Sequence, residues 1–299
     1  MSLLALYDLP APAKLNLFLH VIGRRADGYH LLQSAFVLID WADRLHLECR
    51  TDGQLLRHDL GPTLPAEDLC LKAARALQQA SGTTRGADIS IHKTVPWGAG
   101  MGGGSSDAAT VLLGLNRLWN LGWSRERLLA LGLTLGADVP FFIGGQNAFV
   151  EGIGEQLTPI TVPPLWLAVA KPPEAIATAE IFSSPLMTRN TKSATVAGLL
   201  ADMQQRVSKH HVASDEAFFG RNDLQPAAEA ICPGVVQVSR WLEGRFGNSR
   251  MTGSGSAVFA GAGTGDQPVA TWPEGDLPQG WVGRMCRSLA QHPLAGWAD

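Results

Sequence analysis

The stretch Lys93-Thr94-Val95-Pro96-Trp97-Gly98-Ala99-Gly100-Met101-Gly102-Gly103-Gly104-Ser105-Ser106-Asp107-Ala108-Ala109 limits what this chain can fold into more than any other. Its five glycines between positions 98 and 104 remove the Cβ barrier to positive φ and let the backbone approach a ligand closely. Ile89-Ser90-Ile91-His92-Lys93 alternates as a strand does, and Ser105 to Trp119 has helical periodicity. A glycine loop leading from strand to helix aims unpaired amides and the positive end of the helix dipole at one point, and Ser105 and Ser106 add donors or a ligand for Mg2+. That is where a nucleotide phosphate is expected. The alternative is a loop that only lets helix and strand pack closely.

Two familiar phosphate loops fit less well. Gly98-Ala99-Gly100-Met101-Gly102-Gly103 matches the dinucleotide fingerprint, but the acidic residue expected about twenty positions later would be Glu126, in a helix start rather than at a strand end. The Walker A pattern fails because Gly104 stands where its lysine belongs. An NAD-dependent oxidoreductase therefore lacks its ribose ligand.

A chain of 299 residues, 45% apolar and 17% charged, can fill a sizeable globular core. A net charge of −3 provides no general field for nucleic acid or anionic lipid, so phosphate binding must be local and a small substrate is favoured. Cys49, Cys70, Cys232 and Cys286 are too scattered for a metal cluster or disulfide framework, which fits a reducing compartment. With neither a signal-peptide pattern nor an apolar run of spanning length, the expected location is cytoplasmic, away from membrane.

Residues 13 to 23 alternate as a half-buried strand, with Leu15, Leu17 and Leu19 on one face and Lys14, Asn16 and His20 on the other, which is available for chemistry. Lys14 alone would pass for a solvated side chain. A turn over Arg24 to His30 sets Tyr29 beside His30, a pair able to stack on and hydrogen-bond a planar ligand. Strand-like pieces at 36–39 and 45–47 suggest an early hairpin or meander. Helices are expected over 68–80, ended by Ser81-Gly82, and over 125–135, capped by Ser124. Asp138 follows, in Gly136-Ala137-Asp138-Val139-Pro140 before Phe141-Phe142-Ile143. It is either a cap or turn residue or a carboxylate held for catalysis, and spacing leaves both open.

Prolines from Pro159 to Pro173 mark a soft domain boundary around an apolar strand at 165–170. Helices are expected at 195–206, 224–231 and 235–246, packed on a sheet. Thr252-Gly253-Ser254-Gly255 is a second glycine-serine turn, able to close over a phosphate or to serve as a hairpin turn. Residues 261–280 read as a long surface loop. The pair His210-His211 lacks a third ligand at metal spacing and reads as solvated.

Pro12-Ala13-Lys14-Leu15-Asn16-Leu17, Arg25-Ala26-Asp27-Gly28-Tyr29-His30, Pro96 to Ala109, Leu133 to Pro140, Asn222-Asp223-Leu224 and Thr252 to Gly255, in this order, resemble the kinase superfamily of galactokinase, homoserine kinase and mevalonate kinase. The Asp-Gly-Tyr-His and Gly-Ala-Asp-Val-Pro pieces resemble its branch in the non-mevalonate isoprenoid route, whose alcohol acceptor carries cytidine diphosphate. The resemblance implies an α+β fold of two domains, 1–160 binding ATP and 161–299 completing a substrate cleft, and transfer of the ATP γ-phosphate to a tertiary hydroxyl. It implies Asp138 as the catalytic base and Lys14 as its partner, which suits phosphoryl transfer, a reaction that needs positioning, charge stabilisation and one placed base.

By the same resemblance, Asn16, Tyr29, His30, Phe36, Thr178 and Phe182 surround the substrate, with Tyr29 and His30 at the cytosine and Phe182 on its other face. Lys93, Pro96, Gly98, Ala99, Gly100, Met101, Gly102, Gly103, Gly104, Ser105 and Ser106 take the nucleotide, and Ser106 or Ser105 meets Mg2+. Met101 replaces a usual leucine, conserving volume. Asp68 stands where asparagine is common near the adenine and, ionised, cannot donate a hydrogen bond. A mevalonate-like or homoserine-like acceptor is the runner-up, and Tyr29-His30 argues against it because those molecules carry no base. A non-catalytic nucleotide-binding module would need neither Lys14 nor Asp138.

Overall fold

Two long strands, Ala5–Arg24 (β1) and His30–Arg50 (β2), pair antiparallel and form the spine of the computed structural model, which describes residues 4–66, 68–208, 218–273 and 275–298. The pieces expected at 36–39 and 45–47 are one strand, in which Ala42, Asp43 and Arg44 stay paired to β1, and Arg44 also to the strand at 86–92. The register of β1 shifts between Pro12 and Lys14 and again between Asn16 and Leu19. Such bulges turn the strand over and re-aim side chains: Leu9 and Ala11 face one core, while Ala13 and Leu15, of the same parity, face another. The polar face expected on this strand is therefore enclosed, with Lys14, Asn16 and His20 all buried.

The chain continues through Leu55–Asp59 (β3), Leu69–Ser81 (α1), Gly86–His92 (β4), Gly103–Leu118 (α2), Arg125–Leu133 (α3), Val139–Gly144 (α4), Ala148–Glu151 (β5) and Gln156–Pro159 (β6). Strands β3-β4-β2-β5-β6, with β1 on β2, make a six-stranded sheet. Asp68 is the cap of α1 rather than its first residue, accepting from the Leu71 amide at 3.0 Å. Helix α3 stops two residues short of the expected end; Ser124 caps it as expected. Helix α2 carries Gly114, about 1 kcal/mol worse than alanine in a helix interior. A Cβ there would lie 2.4 Å from Leu47 Cδ1 and 3.0 Å from Leu9 Cδ1, so the glycine lets α2 press onto β1 and β2.

After Pro159 the strands join a different sheet. Trp166–Lys171 (β7), Thr178–Ser183 (α5), Val196–Ser208 (α6), Gln225–Ile231 (α7), Pro233–Phe246 (α8), Arg250–Met251 (β8), Val258–Gly263 (β9) and Val282–Arg287 (β10) follow, with strand order β10-β7-β9-β8. Helices α4 and α5 and strands β3, β5, β6 and β10 are not among the elements expected from the sequence, and Gly261 to Gly263, expected in a loop, belong to β9. One core joins residues of β1 and β2 to Leu167, Val169, Phe259 and Cys286 of the second sheet, and α7 and α8 cover that sheet's far side. His210 and His211 lie outside the described residues. The four cysteines are unpaired, and no helix among the described residues is long and apolar enough to cross a membrane.

The last residues return to the first sheet's helices. Leu289 donates to the Leu38 carbonyl and His292 to that of Gly145, both at 2.8 Å, and Arg125 reaches the carbonyls of Ala295 and Ala298. His292 is buried, its Nδ1 accepts from the Leu294 amide, and burial together with the Arg125 charge pushes its pKa down to about 4. An unfolded histidine takes up its proton near pH 6.5. The unfolded state therefore binds the extra proton between those values, and stability present above about pH 6.5 is lost as pH falls. This group should cost about 2 kcal/mol between pH 8 and pH 5. His292→Gln is expected to flatten that slope in denaturant unfolding; an unchanged slope would refute the assignment.

Candidate active site

Lys14 emerges from β1 between the two bulges, and its backbone amide donates to the Met101 carbonyl at 3.0 Å, tying the strand directly to the glycine loop. Its Nζ donates to Asn16 Oδ1 at 2.6 Å, lies 4.4 Å from the Phe36 ring centroid and faces Asp138 Oδ2 at 3.7 Å. Burial pushes the Lys14 pKa down, and the Asp138 carboxylate partly opposes it. Asp138 occupies the cap position of α4, but its side chain caps nothing. It remains about a third exposed, leaving a carboxylate that faces an ammonium and stays accessible.

Asn16 orders this pair. Its backbone amide donates to Thr252 Oγ1 at 2.9 Å, its Nδ2 donates to Ser34 Oγ at 2.9 Å, and its Oδ1 also accepts from Thr252 at 3.2 Å. Thr252 opens the second glycine-serine turn, which closes the antiparallel β8–β9 hairpin, the Thr252 amide donating to the Ala257 carbonyl at 3.0 Å, and also reaches the first glycine loop. Ser256 and Ala257 donate to the carbonyls of Gly98 and Ala99, so this turn braces the phosphate loop. Asn222 holds the turn in place by donating to the carbonyls of Met251 and Gly253, and Asp223 accepts from the Val21 amide and Thr191.

Two cavities meet at the loop. One of about 410 Å³ is lined by Leu64, Pro65, Asp68, Lys72, Lys93 and residues 95–105. The other, of about 890 Å³, is lined by Lys14, Asn16, Tyr29, His30, Phe36, Asp138, Thr178 and Phe182 among others. Gly100 and Gly102 line both. In the larger cavity Tyr29 is largely exposed, whereas Phe36 is a buried floor set edge-on to Phe141. Thr178 hydrogen-bonds to Ser254 at 2.8 Å. His30 and Phe182 stack on each other at 5.3 Å. A base between two rings needs about 7 Å, twice the ~3.5 Å contact distance, so the expected arrangement with Phe182 across the base from His30 is not the one present. Tyr29 lines the same cavity with its ring largely exposed. Burial, then the charges of Arg24 and Arg189, push the His30 pKa down, favouring a neutral ring.

Ser106 departs from expectation, and Lys93 and Asp68 gain local partners. Ser106 is fully buried and donates to the Pro12 carbonyl at 2.7 Å, so its hydroxyl serves the fold; Ser105 is the serine that lines the cavity. Lys93 lines the cavity too but is held by Asp43 and, at 2.6 Å, by Asp107. Asp68 pairs with Arg57 at 3.1 Å, so its charge has a local use that asparagine would not serve.

Asp43 was missed from the sequence. It is fully buried, and one oxygen accepts from the amides of both Thr94 and Val95, fixing the chain where β4 gives way to the loop. Asp107, in the first turns of α2, takes the other side of Lys93. Burial pushes the Asp107 carboxyl well up, while Lys93 opposes and Asp43 reinforces that shift. Burial also works against the Lys93 charge, but the two carboxylates more than offset it. Nothing near Asp43 in the sequence announces a partner fifty residues away.

The glycine loop and the helix after it fall within residues 68–146, which match the GHMP kinases N terminal domain. Over its whole length the chain is 63% identical to all of the 4-diphosphocytidyl-2-C-methyl-D-erythritol kinase of Methylibium petroleiphilum. It is 55% identical to that of Verminephrobacter eiseniae, with 98% of each chain covered. The chain belongs to the 4-diphosphocytidyl-2-C-methyl-D-erythritol kinase family. A crystal structure of 4-(cytidine 5'-diphospho)-2C-methyl-D-erythritol kinase superposes with a TM-score of 0.73 at 31% identity, covering 94% of this chain and 99% of that one. Homoserine kinase from Cytophaga hutchinsonii, at 14% identity and a TM-score of 0.64 over 98% and 96% of the two chains, shares the fold. The α+β architecture is thus that of this kinase family and its superfamily.

Proposed function

We propose that this chain transfers the γ-phosphoryl group of ATP to the C2 hydroxyl of 4-diphosphocytidyl-2-C-methyl-D-erythritol. The observation that carries the reading is the shared wall: Gly100 and Gly102 border both cavities, and Lys14 and Asp138 stand in the larger one where the two meet. ATP occupies the smaller cavity with its phosphates against residues 98–105, and Pro96, Asp68 and Lys93 bound the nucleotide side. The acceptor fills the larger cavity with its cytosine at Tyr29, His30 and Phe182, its hydroxyl at Asp138 and its body near Asn16, Phe36 and Thr178. A volume of about 890 Å³ suits an acceptor carrying a nucleotide better than a small alcohol.

Asp138 accepts the hydroxyl proton as the oxygen attacks. Lys14 orients the carboxylate and offsets negative charge on the phosphoryl group in flight. Mg2+ is expected to arrive on the ATP phosphates. No group of three His, Cys, Asp or Glu among the described residues could hold a metal, and Mg2+ is commonly held by substrate phosphates, water and few protein atoms. Ser105 is the hydroxyl positioned to join it. The ion supplies charge neutralisation between the phosphates. Residues 1–160 act as the ATP-binding domain and 161–299 as the domain completing the cleft, in a cytoplasmic enzyme acting on a small molecule.

The reading is tested by ADP release from Mg-ATP with the cytidylyl acceptor, mevalonate or homoserine. Turnover is expected only with the first; phosphorylation of mevalonate or homoserine at a comparable rate would overturn it.

A further inference from the structure

Trp97 is the one large apolar side chain of the phosphate loop that lies bare, at 74% exposure. Among the described residues it is also the only aromatic one lining the smaller cavity, whose other walls include the aliphatic Leu64, Pro65 and Leu69 and the polar Asp68 and Lys72. No ring contact engages its indole among the described residues. Its backbone, by contrast, is held. Neighbouring Gly98, at φ +62°, is so close to Ala175 that an added Cβ would lie 2.8 Å from the alanine's own, and the Gly98 carbonyl accepts from Ser256. An indole on a fixed backbone at the mouth of an aliphatic-walled cavity presents a flat π-face at little ordering cost.

We propose that Trp97 stacks on the purine ring of the bound nucleotide and is a main determinant of its affinity, so that the base, and not the triphosphate alone, is recognised. The inference rests on the reading of the smaller cavity as the nucleotide site. The base lies between the indole and the wall of Leu64, Pro65 and Leu69, while its phosphates reach the amides of residues 98–105.

The test is calorimetric titration of the full chain with Mg-ATP and, separately, with Mg-tripolyphosphate, for wild type, Trp97→Phe and Trp97→Ala. Base stacking on an aromatic ring is commonly worth about five- to hundredfold in affinity. Trp97→Ala is therefore expected to weaken ATP about tenfold or more, leave tripolyphosphate unchanged and leave the KM for the acceptor unchanged, with Trp97→Phe recovering most of the loss. ATP affinity unchanged in Trp97→Ala, while tripolyphosphate still competes with ATP, would overturn the stacking alone. Equal weakening of both ligands would also overturn it, because the substitution would then have disturbed the loop. Failure of tripolyphosphate to compete with ATP in the wild type would show that the nucleotide lies elsewhere, and both readings would fall.

Discussion

Asp138→Asn is expected to lower kcat about a thousandfold while leaving ATP affinity within a few-fold of wild type. The substitution keeps shape and volume but removes the carboxylate of the proposed base, which faces Lys14 in the larger cavity. General-base catalysis contributes about 10²–10⁴-fold. ATP affinity should survive because Asp138 does not line the smaller cavity. The same change takes from Lys14 the charge that opposes its burial, so the lysine loses its proton more readily and stabilises the transferring group less. Lys14→Met should consequently cost a similar factor, and the double variant little more than either single one, as for residues acting as a unit. ADP release at saturating acceptor, with ATP binding titrated in parallel, measures all three; a loss under about tenfold in Asp138→Asn would remove it as the base.

Gly100→Ala is the second large effect, and it acts through space rather than chemistry. Gly100 holds φ +71°, and a Cβ there would meet the Thr252 carbonyl oxygen at 2.3 Å and the Gly255 amide at 3.1 Å. Both neighbours are backbone of the bracing turn, so the clash is relieved only by pushing the two glycine turns apart. Left-handed strain at a non-glycine residue costs about 1–3 kcal/mol. Gly122→Ala is the matched control, since it adopts φ +64° with nothing within 4 Å of its Cβ. Gly122→Ala should lower stability slightly and leave ATP binding alone. Gly100→Ala should weaken ATP binding about a hundredfold or more and detach Thr252 from Asn16. Equal effects of the two variants on ATP binding would show that the contact between the turns is unimportant.

The elements with strong local signals were legible. Helices α1, α3, α7 and α8 begin and end within a few residues of where periodicity, Ser124 and Gly82 put them, because a cap and a 3.6-residue pattern are written within one turn of chain. Strand β1 was legible as a strand but not in its surroundings. Alternation says that two faces differ; it does not say that a second sheet will enclose the polar one, nor that bulges beside Lys14 and Asn16 will exchange the faces partway. Asp40 and Asp43 interrupt the apolar pattern of β2, so its sequence shows two separate strand-like pieces. Asp43 is buried there all the same, since two amides and Lys93 satisfy it.

What the sequence by itself determined is the chemistry on offer: a glycine loop feeding a helix, two serines beside it, a lysine in a strand, an aspartate before a proline, and an ordered set of motifs that marks the kinase family. Only the tertiary structure decided how these are used. It set Lys14 opposite Asp138, turned Ser106 into the core and Ser105 toward the cavity, gave Lys93 to two carboxylates, and laid His30 on Phe182. The physical reason is that a helix or turn closes its hydrogen bonds among near neighbours, whereas a partner across a cleft is chosen by packing between segments far apart in the chain, which no local pattern encodes.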